Sequence, residues 1–198
     1  MSSESSRSSR PDAFAAALRE AANALTVAVQ GVQASNPVVL VDGRSGAGKT
    51  SLARLLVAGW PLRGRVQLVG LDSLYPGWDG LDEGRTIARD SILIPHARGL
   101  VGVWQRWDWD AAEPAEAHAV DPSLPLIVEG SGILDARTAR LADLRVWLES
   151  PAETRKRRAL ERDGDAYRPH WDRWAEQEER HLAADTPVRL ATHVFAVP

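Results

Sequence analysis

The sequence predicts an α/β domain built on a doubly wound, five-stranded parallel sheet. Three observations carry that prediction. Short apolar runs without polar alternation recur along the chain, stretches able to hold helices separate them, and a glycine-rich loop leads from the first run directly into a helix-forming segment. Strands covered on both faces of a parallel sheet have no wet side, so their sequences do not alternate. The five runs are Pro37–Val41, Val66–Leu71, Leu124–Val128, Leu144–Leu148 and His193–Val197.

Taken in order, residues 1–12 are rich in serine and arginine and low in complexity, which predicts a flexible tail. Phe14, Leu18, Ala21, Leu25, Val29 and Val32 then follow helical spacing, the pattern of an amphipathic helix packed on the domain. Arg19 and Glu20 interrupt that stretch, so it lacks the continuous apolar core of a secretion signal. After the first strand a helix is expected over Lys49–Ala58. The stretch Asp72–Asp121 is rich in Gly, Pro and Trp and is the least regular part, where such a scaffold would carry a substrate site. Neither an internal repeat nor a long linker divides the chain, so residues 13–198 are expected to form one domain with an N-terminal helix.

Composition narrows the functions available. Apolar residues make up 44% and charged residues 26%, the balance of an ordinary globular protein. A net charge of -3 supplies no general attraction to nucleic acid, and no apolar run reaches the roughly 20 residues that span a bilayer. Neither nucleic acid nor membrane is expected as a partner, and the expected location is cytoplasmic. With no cysteine there can be no disulfide, thiolate metal site or cysteine nucleophile. His96, His118, His170, His181 and His193 form no ligand pattern, so no zinc is assigned.

The loop Gly43-Arg-Ser-Gly-Ala-Gly48-Lys49-Thr50 matches G-x-x-x-x-G-K-[ST] in the strand-loop-helix setting its mechanism requires. Glycines at 43, 46 and 48 let the backbone N–H groups from Ser45, Gly46, Ala47 and Gly48 through to Ser51 converge on phosphate oxygens, helped by the positive end of the following helix. Lys49 would reach the β- and γ-phosphates and the Thr50 hydroxyl would bind magnesium. Lys49 is one of only two lysines in a chain that otherwise uses arginine. A compact ammonium is kept where a guanidinium fork would crowd the phosphates. ATP with Mg²⁺ is therefore the expected cofactor pair of a P-loop NTPase. The only asparagines, Asn23 and Asn36, precede the loop, so the Asn-Lys-x-Asp guanine signature of a GTPase is missing. A single domain of this size suits a metabolite kinase.

Phosphoryl transfer to a hydroxyl also needs a carboxylate at the attacking oxygen and anchors for the metal. Asp72 and Glu129 directly follow the second and third apolar runs, which places both at the carboxyl edge of the sheet beside the loop. The competing roles are a turn former for Asp72 and a surface acid for Glu129.

These residues resemble the uridine kinase-like branch of the P-loop kinases, which includes phosphoribulokinase and pantothenate kinase relatives. The resemblance rests on Asp42–Thr50, Leu71–Tyr75, Trp107-Asp108, Val128–Gly130 and Thr154–Arg158 with Arg162-Asp163, and covers most of Pro37–Val197. It implies Asp72 as catalytic base, Thr50 and Glu129 around the magnesium, Tyr75, Trp107 and Asp108 as acceptor contacts, and lid arginines among Arg155, Arg158 and Arg162. Two departures stand out. The Glu-Arg-Gly-Arg-Asp-like stretch of the uridine kinase lid is reduced to Asp163–Arg168, and the short chain between Asp110 and Leu124 lacks the Tyr/His segment that reads the pyrimidine. A small-molecule acceptor is expected, with a uridine-like nucleoside as the leading guess.

Arg155–Arg158 can be a solvated helix face or a mobile cationic lid hinged at Gly164, with Arg158 and Arg162 as the catalytic candidates. Trp78, Trp104, Trp107 and Trp109 can line a stacking pocket or belong to the core, and the acceptor pocket is placed between Tyr75–Trp78 and Trp107-Asp108. Trp171 and Trp174 are expected in the core. The rival to a kinase is an ATP-binding switch or accessory ATPase with no small-molecule acceptor.

Overall fold

The computed structural model describes residues 12–198. All of the expected tail except Asp12 lies outside the described residues. Asp12 instead starts the first helix, its carboxylate accepting the N–H groups of Phe14 and Ala15 at 3.1 and 3.3 Å as the N-cap of α1 (Ala13–Gln30).

Five strands form one all-parallel sheet: β1 (Val38–Gly43), β2 (Gln67–Gly70), β5 (Leu126–Glu129), β6 (Leu144–Glu149) and β7 (His193–Ala196). Their order across the sheet is β2-β5-β1-β6-β7, with β1 in the middle and buried along its whole length. Each matches one of the five apolar runs to within a few residues. Successive side chains of β1 point to opposite faces. Val39 and Val41 pack with α1 and α2 (Lys49–Ala58) on one side. Val38 and Leu40 pack on the other against Leu81, Ile92, Trp171 and Trp174. Those four come from α3 (Leu81–Ile87), the π-helical turn after it (Ala88–Leu93), and α6 (Trp171–Asp185). The unbroken apolar run Val38–Val41 of β1 is thus explained by two helical layers. The chain turns from β1 toward β2 on one side while β6 lies on the other, so the loop after β1 sits at a topological switch point, where sheets of this kind bind ligands.

The stretch Asp72–Asp121 is more regular than its composition suggests. Besides α3, it folds a short helix α4 (Ile94–Ala97) and an antiparallel hairpin, β3 (Gly102–Asp108) with β4 (Glu113–Val120). The hairpin carries no alternating apolar face. Cross-strand pairs hold it instead: Trp104 stacks on His118 at 4.7 Å between centroids, and Arg106 binds Glu116 at 2.7 Å. After β6 comes α5 (Ala152–Tyr167), interrupted at Gly164, whose φ of 57° and ψ of -134° are not helical. A four-residue helix α7 (Pro187–Leu190) leads into β7.

Candidate active site

The loop Gly43–Thr50 closes over the N-terminus of α2. Gly46 and Gly48 have φ of 78° and 105°, a region that side chains with a Cβ avoid. A Cβ on Gly46 would also run into the Arg155 carbonyl, so the start of α5 packs directly on the outside of the loop. At the root of the loop the fully buried Asp42 accepts N–H groups from Gly43, Gly132 and Leu134 at 2.7 to 2.9 Å. That carboxylate ties the loop to the turn after β5.

Lys49 is nearly buried, its Nζ donating to the Arg44 carbonyl at 3.3 Å and to Ser131 Oγ at 3.0 Å. Thr50 Oγ1 donates to Glu129 Oε1 at 2.8 Å. Burial pushes the Glu129 carboxyl above its ordinary range, with the Lys49 ammonium working against that shift and the Asp72 charge adding to it. Asp72 stands in the single turn of 3₁₀ helix after β2, as its place behind the second strand predicts. Thr50, Asp72 and Glu129 line one small cavity of about 50 Å³ together with Lys49 and Arg162. Hydroxyl and carboxylate oxygens are the donors a hard cation prefers, so this set fits magnesium once phosphate oxygens complete the shell. Among the described residues no three His, Cys, Asp or Glu side chains form a metal cage of their own.

A second cavity of about 480 Å³ opens from the first, sharing Ser45, Thr50, Ser51, Asp72 and Arg162 with it. Tyr75, Trp78, Trp109, Tyr167 and Trp174 wall it. Tyr75 is buried, and its hydroxyl donates to the Ser131 carbonyl at 2.8 Å. Trp78 stacks on His170 at 4.3 Å between centroids, which locks the loop after Asp72 to the chain beyond the Gly164 kink.

Two expected acceptor contacts lie elsewhere. Trp107 faces a separate groove of about 530 Å³ beside Leu74, Ile87 and Trp104. Asp108 is consumed by its own hairpin: Oδ1 accepts from Asp110 and Ala111 N–H at 3.0 Å and Oδ2 from Arg106 at 3.3 Å, contacts that hold its carboxyl below the ordinary range. Trp109 at the hairpin tip takes the place by the cavity, its Nε1 donating to the Asp72 carbonyl at 2.8 Å.

The arginines also separate. Arg158 points away from both cavities, with Nε on the Gly46 carbonyl at 2.8 Å, Nη2 on Ser150 Oγ at 2.5 Å and its guanidinium 4.1 Å from the centre of the Phe14 ring. It braces the back of the loop, which corrects its expected place over the phosphates. Arg155 likewise donates to the Ser45 carbonyl at 3.2 Å. Arg162 alone of the three lines the cavities, paired with Asp163 at 2.6 to 2.7 Å. Arg168 is exposed and pairs with Asp165 at 3.6 Å.

The helix α6 contributes what the sequence did not disclose. Glu178, 2% exposed, accepts the Ser45 N–H at 2.6 Å, Ser131 Oγ at 3.0 Å and Arg44 Nε at 3.1 Å. One turn on, His181 lies between Asp42 at 3.1 Å and Asp185 at 2.8 Å. Trp171 and Trp174 are buried as expected, although Trp174 also meets Tyr75 edge to face at 4.7 Å and so reaches the cavity. A larger cleft of about 640 Å³ between Trp147, Arg155 and Pro198 contains neither Lys49 nor Asp72 and stands apart from this arrangement.

Together the parallel sheet and the loop after its central strand define a P-loop fold. Neither a protein-family model nor a curated protein matches the chain. Solved structures do. One described as a possible uridine kinase from Bacillus stearothermophilus superposes with a TM-score of 0.68 over 90% of this chain and 98% of that one, at 17% identity. Another, described as a fructose transport system kinase from Silicibacter sp. TM1040, superposes with a TM-score of 0.57 over the same shares at 19% identity. At such identities the likeness is one of fold. Among the described residues no helix is long and apolar enough to cross a membrane.

Proposed function

We propose that the chain is an ATP- and magnesium-dependent phosphotransferase that acts on a hydroxyl of a small molecule. One observation carries this reading: Asp72 and Arg162 line both the small cavity at the P-loop and the larger aromatic-walled one, so the place where a terminal phosphate would rest opens onto room for an acceptor. An ATPase without an acceptor has no use for the second cavity. The two structural neighbours, described as a possible uridine kinase and a fructose transport system kinase, agree with this class. A uridine-like nucleoside is the acceptor the resemblance suggests.

In this reading the loop N–H groups and Lys49 hold the β- and γ-phosphates, Lys49 exchanging its bond to the Arg44 carbonyl for phosphate oxygens. Arg162 lies against the transferring group and offsets charge on its equatorial oxygens. Asp72 accepts the proton of the acceptor hydroxyl as that oxygen bonds to phosphorus and the bond to the ADP leaving oxygen breaks. Thr50 and Glu129 would hold magnesium, which when bound neutralises phosphate charge. Tryptophan-rich walls exclude water, which would otherwise compete with the acceptor.

The test measures ADP release in the presence of a nucleoside, sugar and vitamin library, with mass detection of product. An acceptor-dependent rate yielding a product one phosphoryl group heavier is the expected result. ADP release stimulated by a protein partner, with no phosphorylated product, would instead assign the ATP-binding switch.

A further inference from the structure

Three cavities among the described residues share Ser51, the third residue of α2: the small phosphate cavity, the aromatic-walled acceptor cavity, and a groove of about 480 Å³ between α1 and α2. Asp72 and Arg162, which mark the place of transfer, line the first two and not the groove. Phe14, Leu18 and Leu55 give the groove apolar surface, and Asp12, Arg19 and Arg54 give it charge of both signs. The α1 wall reaches the phosphate loop itself, because a Cβ on Gly48 would come within 2.8 Å of Phe14 Cζ and 3.3 Å of Leu18 Cδ2. The Phe14 ring is also held by the Arg158 guanidinium, 4.1 Å from its centre, and Arg158 does not line the groove. Helix α1 precedes Pro37, where the resemblance to the uridine kinase-like branch begins, so no motif of that resemblance describes this wall.

A nucleotide held by this loop has a direction. Lys49 takes the β- and γ-phosphates and the γ end opens on Asp72 and Arg162, so the α-phosphate lies toward the N–H groups of Thr50 and Ser51 at the start of α2. The nucleoside then leaves the loop at Ser51. The acceptor cavity is committed to the hydroxyl that must meet Asp72, whereas the groove adjoins Ser51 without the reacting groups. It offers an aromatic ring and two leucines to the face of a base, and Asp12, Arg19 and Arg54 to polar edges. Its volume lies within the roughly 300 to 1,000 Å³ of small-molecule sites. Resting on the phosphotransferase reading, we infer that the groove between α1 and α2 holds the nucleoside of the donor nucleotide, with its base packed on Phe14. The N-terminal helix is then part of the donor site as well as of the core.

Two measurements on the full chain test this. Calorimetric titration with adenylyl imidodiphosphate and with inorganic tripolyphosphate, both with magnesium, gives the ratio of affinities that the nucleoside adds. Wild type should favour the nucleotide by at least about tenfold, and Phe14→Ala should cut that ratio by about fivefold or more, the scale of losing one stacked ring. Because Phe14 also packs on Gly48, a variant that merely loosened the loop would weaken both ligands alike and leave the ratio unchanged. Photolabelling with 8-azido-ATP, protected by adenylyl imidodiphosphate and mapped by mass spectrometry, should mark the start of α1 or the Arg54-Leu55 pair of α2. An unchanged ratio in Phe14→Ala overturns the inference, as does the absence of label from α1 and α2, including label confined to the start of α5 or to Pro198. The phosphotransferase reading fails separately: wild type that binds neither adenylyl imidodiphosphate nor tripolyphosphate would strike the P-loop site itself, while normal nucleotide binding with label elsewhere would strike only the placement of the nucleoside.

Discussion

Glu178 on α6 accepts the backbone N–H of Ser45 in the phosphate loop at 2.6 Å, although the two residues lie 133 positions apart in sequence. The same oxygen accepts from Ser131, whose hydroxyl in turn receives Lys49 Nζ. Resting geometry at the loop lysine therefore depends on a carboxylate from the helix beyond the lid segment. Glu178→Gln keeps the shape but replaces the carboxylate that pairs with Arg44 Nε, leaving the half-buried guanidinium with Glu179 as its remaining carboxylate partner among the described residues. We expect a loss of about 1 to 3 kcal/mol in urea unfolding and a raised KM for ATP. Unchanged values of both would reduce Glu178 to a bystander.

Lys49→Ala tests the nucleotide site itself. A preorganised cation on the β- and γ-phosphates is worth several kcal/mol in the transition state, so turnover should fall by about 10³-fold or more while circular dichroism stays that of wild type. Normal turnover by the folded variant would remove the P-loop from the proposed chemistry.

Asp72→Asn addresses the proton. Because the Asp72 side chain has no hydrogen-bond partner among the described residues, the substitution should leave the melting temperature nearly unchanged. With a phosphorylated acceptor in hand, kcat should fall by roughly 10²-fold or more at similar KM for ATP. Retention of kcat would move the base elsewhere.

How far these positions could be read in advance follows from the range of the interactions. The five strands were legible because burial on both faces leaves an unalternated apolar signature, and Asp72 and Glu129 because each is the first residue past an apolar run. Trp107 and Asp108 were misplaced because β3 and β4 have no apolar face to orient them, and a bulge between Gln105 and Trp107 shifts the register that would decide which tryptophan meets the cavity. Glu178 and His181 carry no local signal. Their partners Ser131 and Asp42 are 47 and 139 residues away, and only the packing of α6 against the loop joins them. Arg158 and Arg162 looked equivalent because they sit one helical turn apart, yet α5 abuts the loop closely enough to bind the first to Gly46.

His181 gives stability a defined pH dependence. Burial opposes its charge, but hydrogen bonds and charge from Asp42 on β1 and Asp185 on α6 outweigh that and the nearby Arg85 of α3, so its pKa lies above the ordinary 6.5. A folded-state pKa above the unfolded one means the native state binds the proton more tightly. The contribution is complete below about pH 6.5 and is lost as pH rises through the folded-state value. Urea unfolding of wild type should therefore show stability declining from pH 6 to pH 8, and His181→Asn should flatten that slope while lowering stability at pH 6. An equal slope in the variant would place the titration on another group.

Arg158 and Arg162, four residues apart on α5, should fail in different ways when each is replaced by Ala. Arg158 donates to the Gly46 carbonyl, the Ser150 hydroxyl and the Pro198 carbonyl, so its loss strips partners from the back of the loop and should cost about 1 to 3 kcal/mol of stability. Any effect on turnover would then follow from a loosened loop and appear in the KM for ATP. Arg162 lines the cavities where the transferring phosphate would lie, and its pairing with Asp163 keeps the guanidinium firmly charged. Its removal should lower kcat by about 10²-fold or more, as losing an arginine over the transition state does in other phosphoryl transfers, while leaving the unfolding midpoint close to wild type. Measuring kcat, KM for ATP and the urea midpoint for both variants separates the two roles. A large fall in kcat for Arg158→Ala with stability intact, or an unchanged kcat for Arg162→Ala, would reverse the assignment of which arginine reaches the phosphate.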